Sequence, residues 1–522
     1  MLQIECMRPT GRLSGILLPL FSFRSRDDSG IGDFGAFDGL FDWMEAARQK
    51  LVMLLPLLPT APGDPSPYAT RSAFGLNPLF IHWHSVPEFE ECGGFEELAD
   101  DERRRLEEAR SAPRVRYDLV FPLKRACARR AFARFEEAHW RLNTSRAREF
   151  KQWQAEQSDW LSSYTLYAAL SSEQQHRPWW DWPAPLRDRD PSALAEARQR
   201  LSREILFCDW EQWIAETQWQ RVRRSATQRG ILLCGDEPFI IAMDSADCWA
   251  NPRILRRTGR LGVPPDAFSA TGQDWGLPYF DFTEMQKDDH AWLRFRARKA
   301  ASYYDVRRVD HAVGYFRQWI RDEKTASGRF VPPEESEQRR LGEVHFRLLS
   351  QDAGIIAEDL GVIPDWVRDT LTRLGIPGYR VLRWEKDGPA YRNPRQFPST
   401  SLVTTGTHDT ETLREWWESN DGRERQAVAH VYPEFQNLDA TPEFTPRIHE
   451  AFIAACENAG SDLAVLPWQD VLGTSDRINL PGTMGDANWA YRINHLTNEL
   501  LLASDTRRAA SFLAQLSEAG RR

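Results

Sequence analysis

Short runs rich in Val, Ile or Leu recur along the chain, at residues 15–18, 51–55, 231–234, 305–309, 355–357, 379–382, 402–405 and 464–466. The third run is read as a strand that either ends at Cys234 or runs on through Phe239 to Met243. Runs this short and this apolar fit strands buried on both faces. Most are separated by helical patterns, at residues 37–48, 291–301, 366–374 and 412–418. Alternation repeated this often predicts a parallel sheet with outer helices. Eight repeats predict closure, an α/β fold of the (β/α)8 TIM-barrel class; an open doubly wound sheet is the alternative.

The spacing is uneven. About 175 residues separate the second and third runs, far beyond an ordinary connection. Charged amphipathic helices are predicted there at residues 101–110, 124–142, 147–170, 191–203 and 210–229. Residues 91–229 are therefore read as a helical subdomain inserted into a single barrel spanning 1–522. Inside it, Trp179, Trp180 and Trp182 form a proline-bounded cluster, either an anchor on the barrel or a sugar contact. Residues 250–290 carry few helical signals and are read as an inserted loop region over the cleft. Residues 323–340 are polar, with paired prolines, and are read as a surface loop.

Composition narrows the function. At 522 residues the chain exceeds a minimal barrel of about 250 residues and suits one with large insertions. The net charge of −9 comes with basic and acidic residues interspersed, which argues against nucleic acid or an anionic membrane as partner. No run is long enough for a membrane span, and Glu5 and Arg8 interrupt the segment where a leader would be apolar. The seven cysteines are dispersed, without a Cys-x-x-Cys pair, so reduced thiols in a cytoplasmic protein are expected. Tryptophan is abundant, at 21 residues. Most serve a bulky core, and some fraction can stack on pyranose rings.

Three segments carry the chemistry: Arg308-Val309-Asp310-His311, Ala357-Glu358-Asp359-Leu360 and Thr407-His408-Asp409-Thr410. Each sets a carboxylate just beyond a predicted strand, where parallel barrels keep catalytic groups. Successive carboxylates lie roughly fifty residues apart, enough for a strand, a crossover helix and its loops. Three such groups suggest glycosidic chemistry, with a nucleophile, an acid/base and a third group supporting the transition state.

Further segments carry a resemblance. They are Gly63-Asp64-Pro65-Ser66-Pro67-Tyr68 with Ser72-Ala73-Phe74 and Asn77-Pro78, Gly235-Asp236-Glu237-Pro238, Asp244-Ser245-Ala246-Asp247-Cys248-Trp249, residues 262–273 with Trp275-Gly276, Asn479-Leu480-Pro481-Gly482-Thr483, and Asn488-Trp489. In this order they resemble the 4-α-glucanotransferases of the amylomaltase type, glycoside hydrolase family 77, over nearly the whole length. The resemblance implies Asp310 as nucleophile, Glu358 as general acid/base and Asp409 as transition-state stabiliser. It implies maltooligosaccharides and α-1,4-glucans as substrates. The chain has no dense Asp/Asn/Glu loop of calcium-binding spacing and no nucleotide or flavin motif, so no metal or cofactor is expected. Arg308, two residues before Asp310, points to the same side of its strand and suits an ionised nucleophile. Asp359 faces the other way. His311 and His408 are expected to donate to sugar hydroxyls or to the nucleophile, or to sit bonded to backbone. Asp244 is expected to bind substrate or to cap a turn. Tyr68, Trp275 and Tyr279 are candidate stacking platforms or structural aromatics.

Two departures from the family pattern stand out. Ala312-Val313 replace an aromatic residue and an arginine, and Thr410-Glu411 follow Asp409 where Asn is usual. Both keep the three carboxylates and bear on subsites or on the balance of transfer against hydrolysis. An α-glucan hydrolase and a non-catalytic glucan-binding protein are the alternative functions.

Overall fold

All eight predicted strands form: β1 (Leu13–Leu17), β2 (Leu51–Met53), β3 (Leu232–Glu237), β4 (Val306–Val309), β5 (Gly354–Ala357), β6 (Gly378–Val381), β7 (Ser401–Thr404) and β8 (Leu463–Pro467). The computed structural model describes residues 11–264, 272–322, 327–483 and 485–520. Each strand pairs in parallel with its chain neighbours, and β8 returns to β1, so the sheet is a closed barrel. Closure leaves no unpaired edge, and helices cover the outside. Examples are Phe37–Ala46, Ala291–Tyr303, Glu335–Leu349 and Asp365–Arg373. Among the described residues the connection from β6 to β7 holds no α-helix, only short 3-10 turns and a two-stranded ribbon.

Between β2 and β3 the chain is helical, with Asp100–Ser111, Tyr117–Phe135, Ser145–Glu156, Ser158–Glu173, Pro191–Arg200 and Ser202–Gln228 as its longer elements. The helix expected over 147–170 is two helices, parted at Gln157. The last helix returns to the barrel wall. Its buried Trp219 lies against Phe34, Phe37 and Tyr304 and donates from Nε1 to the Tyr303 carbonyl at 2.9 Å. Trp179 and Trp182 are buried; Trp182 packs on Trp249, and Trp179 Nε1 donates to the Met243 carbonyl at 3.0 Å. The cluster thus anchors the helices on the segment that follows β3.

Two loop expectations need correction. Residues 250–290 contain strands Leu255–Val263 and Gln273–Phe280, which join Gln318–Arg321 and Gly328–Val331 in a four-stranded antiparallel sheet. A register shift between Arg256 and Leu261 breaks the two-residue period, and the intervening arginines hide the strand. Residues 323–340, read as a surface loop, contain the last of these strands and the start of the helix Glu335–Leu349; 323–326 lie outside the described residues. That helix opens with a charged turn but buries Gln338, Leu341, His345 and Leu349 at helical spacing. No helix among the described residues is long and apolar enough to cross a membrane.

The ends of β3 and β4 carry charge on both faces of the barrel wall. Glu237 and Arg307 point outward: Arg307 Nη1 donates to Glu237 Oε2 at 2.7 Å, and Arg296, from the helix Ala291–Tyr303, meets Glu237 Oε1 at 3.0 Å. All three are buried. Glu237→Gln leaves two buried guanidiniums without their carboxylate. It is expected to cost about 3–5 kcal/mol of stability, read as a lower midpoint in urea unfolding.

Candidate active site

Alternation along the same strands turns their neighbours inward. Asp236 pairs in register with Arg308, one step before the strands end. Arg308 Nη1 donates to Asp236 Oδ1 at 2.8 Å, to Asp236 Oδ2 at 2.9 Å and to Asp310 Oδ1 at 2.8 Å. The Tyr68 hydroxyl donates to Asp236 Oδ2 at 2.7 Å. Arg308 and Asp236 are buried, while the Asp310 side chain is 27% exposed and so open to a ligand. Burial would lower the Arg308 pKa, but Asp236 and Asp310 raise it well above its ordinary value. The guanidinium is a fixed charge between two carboxylates.

Glu358 follows β5, the neighbour of β4, and Val309 pairs with Ala357. Asp310 and Glu358 are therefore the next residues on two adjacent strands. Glu358 Oε2 accepts from the His311 backbone N–H and Oε1 from that of Leu360, both at 2.9 Å. His311 makes the first of these bonds from the left-handed region, at φ 46°, which is uncommon for a residue with a Cβ. These donors and Arg308 favour the carboxylate. Burial and the nearby Asp310 outweigh them and push the Glu358 pKa up to about 7. The His311 ring, held edge-to-face by Phe239 and Trp275, has its pKa pushed down by burial to about 4 despite Asp310.

Asp409 lies on the loop after β7. Its side chain is 45% exposed; Oδ1 accepts from Asn479 Nδ2 at 2.7 Å, and Oδ2 lies 3.4 Å from His408 Nε2. Burial opposes ionisation, but His408 and Asn479 hold the carboxyl well below the usual range. Burial would lower the His408 pKa; Asp409 raises it further. His408 also stacks on Tyr68, with Nε2 2.9 Å from the Tyr68 hydroxyl. Tyr68 thus links the Asp409 pair to Asp236 and, through it, to Arg308 and Asp310.

The structure therefore groups Tyr68, Arg308, Asp310, His408 and Asp409, with Glu358 and His311 alongside, and sets Trp275 over His311 at 4.8 Å. Asp244 is not brought into this group. Its carboxylate accepts from Arg71 Nη2 at 2.5 Å, Tyr167 Oη at 2.8 Å and the Trp179 N–H at 3.1 Å, so it ties the inserted helices to the barrel. Arg71 and Tyr167 line a separate cavity of about 450 Å³ that none of the three carboxylates lines. Asp359 is buried, facing away, and accepts from the Tyr379 N–H at 2.7 Å. Tyr279 meets Thr258 within the four-stranded sheet. Residues 265–271 of the 262–273 motif lie outside the described residues. Ala312 is buried, and Val313 half-buried, in the apolar cluster that includes Phe239, Phe280, Tyr315 and Phe346. Asp236 and Asn479 lie within the motifs that carry the resemblance but have no role assigned from sequence; Asp236 proves to be a fourth strand-end carboxylate because β3 ends at Glu237. Among the described residues no group of three His, Cys, Asp or Glu is arranged to hold a metal ion.

A closed parallel barrel with carboxyl groups in contrasting environments at the C-terminal ends of its strands has the arrangement that glycoside-processing enzymes use. The 4-alpha-glucanotransferase family model, glycoside hydrolase family 77, matches residues 18–498, and the chain belongs to that family. It is 34% identical over 509 residues to the 4-alpha-glucanotransferase of Synechocystis sp., covering 94% of this chain and 95% of that one. It is 31% identical over 500 residues to the Chlamydia pneumoniae enzyme, covering 94% and 92%. The amylomaltase from Streptococcus agalactiae, solved in complex with acarbose, superposes with a TM-score of 0.83 at 25% identity over 98% of this chain and 99% of that one.

The raised Glu358 pKa has two consequences. A carboxyl whose pKa rises on folding binds protons more tightly when folded, so its stabilising contribution is present below about pH 4.5 and lost as pH rises through about 7. Glu358→Gln should therefore raise the unfolding midpoint relative to wild type at pH 8 and leave it nearly unchanged at pH 4. The wild-type kcat/KM profile should fall above about pH 7, with that alkaline limb absent from Glu358→Gln.

Proposed function

We propose that the protein transfers segments of α-1,4-glucan to the 4-hydroxyl of an acceptor glucose or maltooligosaccharide, with retention of configuration. Asp310 attacks the anomeric carbon while Glu358 gives its proton to the departing glycosidic oxygen. The donor's non-reducing portion remains as a glycosyl ester on Asp310. Glu358, now ionised, takes the proton of the acceptor 4-hydroxyl as that oxygen displaces Asp310. Each step inverts the anomeric centre, so the product keeps the α configuration.

The observation that carries this reading is the shared guanidinium. Arg308 donates directly to Asp310, the group placed to attack, while burial and the nearby Asp310 push the Glu358 pKa up to about 7, so that a proton donor stands beside a guanidinium-bound carboxyl. Asp409 is held ionised by His408 and Asn479, which suits a group stabilising positive charge on the sugar ring in both transition states. Tyr68, Trp275, His311 and His408 provide rings and donors for binding sugar, and the acarbose complex of the S. agalactiae amylomaltase supports a saccharide ligand. The free thiols of Cys92, Cys127, Cys208, Cys234 and Cys248 support a cytoplasmic location.

Pure maltotriose tests the reaction. Transfer yields glucose together with maltooligosaccharides longer than the donor, at a nearly constant number of reducing ends. Reducing ends that grow one for one with glucose release would identify a hydrolase, and no change in the sugars would identify a binder.

An α-glucosyl fluoride donor tests the roles. Its leaving group needs no protonation, so Glu358→Gln should form the glycosyl-enzyme and accumulate it, with the label on the Asp310 peptide by mass spectrometry. Asp310→Asn should form none and lose activity by orders of magnitude. A label on Glu358 or Asp409 would reverse the assignment.

A further inference from the structure

Arg383 follows β6 and is 4% exposed. Its guanidinium reaches the base of the loop after β7. Nη1 donates to Glu411 Oε1 at 3.1 Å, and Nη2 donates to Thr410 Oγ1 at 3.0 Å and to the Glu411 carbonyl at 2.7 Å. The Thr410 hydroxyl in turn donates to the Thr407 carbonyl and accepts from the Thr407 N–H, both at 3.0 Å. Thr407 Oγ1 accepts from the Asp409 N–H at 3.2 Å. His408 and Asp409 thus occupy the middle of a turn closed by one threonine hydroxyl, and that hydroxyl is held by a buried cation. The fit is close. A Cβ on Gly406 would lie 2.4 Å from Arg383 Nη2 and 2.6 Å from Thr410 Oγ1, so only glycine leaves room for the contact.

The helix that follows, Leu413–Ser419, has its own anchor. Asp470 accepts from the Leu413 N–H at 2.7 Å and from Thr405 Oγ1 at 2.5 Å. The Arg383 bonds fall between these points, on Thr410 and Glu411, the second of the two departures from the family pattern. We propose that Arg383 is a positioning residue that acts through Thr410 and Glu411 to fix Asp409 and His408 against the Asp236–Arg308–Asp310 group. It touches no reacting atom. The proposal rests on the reading of Asp409 as transition-state stabiliser. A carboxylate that is 45% exposed and five residues beyond its strand needs such a clamp, because a displacement of about 1 Å can cost roughly 10²-fold in rate.

The test uses the full-length enzyme and initial rates of maltotriose disproportionation. Thr410→Val removes the hydroxyl at nearly constant volume, and Thr410→Ser keeps it. Thr410→Val is expected to fold with an unchanged circular-dichroism spectrum and to lose about tenfold or more in kcat, with KM within about twofold. Thr410→Ser should keep at least about half of the wild-type kcat. Arg383→Met should lose a similar factor, and Arg383→Met/Thr410→Val should be no worse than the poorer single variant, since both remove one clamp. Asp409→Asn should lose more than any of them. Wild-type kcat in folded Thr410→Val beside an inactive Asp409→Asn would overturn the clamp. So would losses that multiply in the double variant, or a loss that follows only the folded fraction. Wild-type activity in Asp409→Asn would instead remove the reading of Asp409, and the clamp with it.

Discussion

The site is organised by one guanidinium among three carboxyl groups. Arg308 satisfies Asp236 and Asp310 by direct hydrogen bonds and leaves Glu358 without one. Glu358 is buried beside Asp310 without a direct bond to the guanidinium, and its pKa is pushed up to about 7; burial and Asp310 also raise the pKa of Asp236, against the pull of Arg308. Moving Arg308 would not merely weaken a contact. It would remove the one cation that opposes the raised pKa of both Asp236 and Glu358.

This arrangement depends on the barrel for its precision. Asp236, Arg308, Asp310 and Glu358 come from the ends of three adjacent strands whose register is set by backbone pairing. The residues between them face outward and build a second ion network, Glu237 with Arg307 and Arg296, on the other side of the same wall. Consecutive residues thus serve opposite faces: one pair locks the strands to the helices behind them, the next presents charge to the cleft. A one-residue slip would exchange the two networks, so both resist it.

Much of this was readable from residues alone, for identifiable reasons. Strands buried on both faces leave short apolar runs that stand out against amphipathic helices, and all eight appear in the barrel. Carboxylates just past those runs mark strand ends, and the spacing of Arg308 and Asp310 foretells their contact. Asp236 was harder, because Gly235-Asp236-Glu237-Pro238 blurs where its strand ends and its value lies in a cross-strand partner that only register reveals. Asp244 misled because a carboxylate near a turn looks alike whether it faces a cleft or, as here, Arg71 and Tyr167. The sheet of 255–263 and 273–280 was hidden by its register shift, which erases the two-residue period that identifies a strand.

The groups differ in how much support they require. Asp310 and Glu358 each stand one residue beyond a strand and inherit its rigidity. The αL turn at His311 adds a backbone bond between the two chain segments. Asp409 stands five residues beyond β7, where the barrel no longer dictates position. Around it lie the elements an irregular segment needs to hold one geometry: Asn479 from the loop after β8, the Tyr68–His408 stack, and the Arg383–Thr410 contact beneath. They arrive from four separate parts of the chain, so the placement of Asp409 is a property of the assembled fold. Asp409 is accordingly the carboxylate that sequence change in the surrounding loops can move without disturbing the Asp310–Glu358 pair.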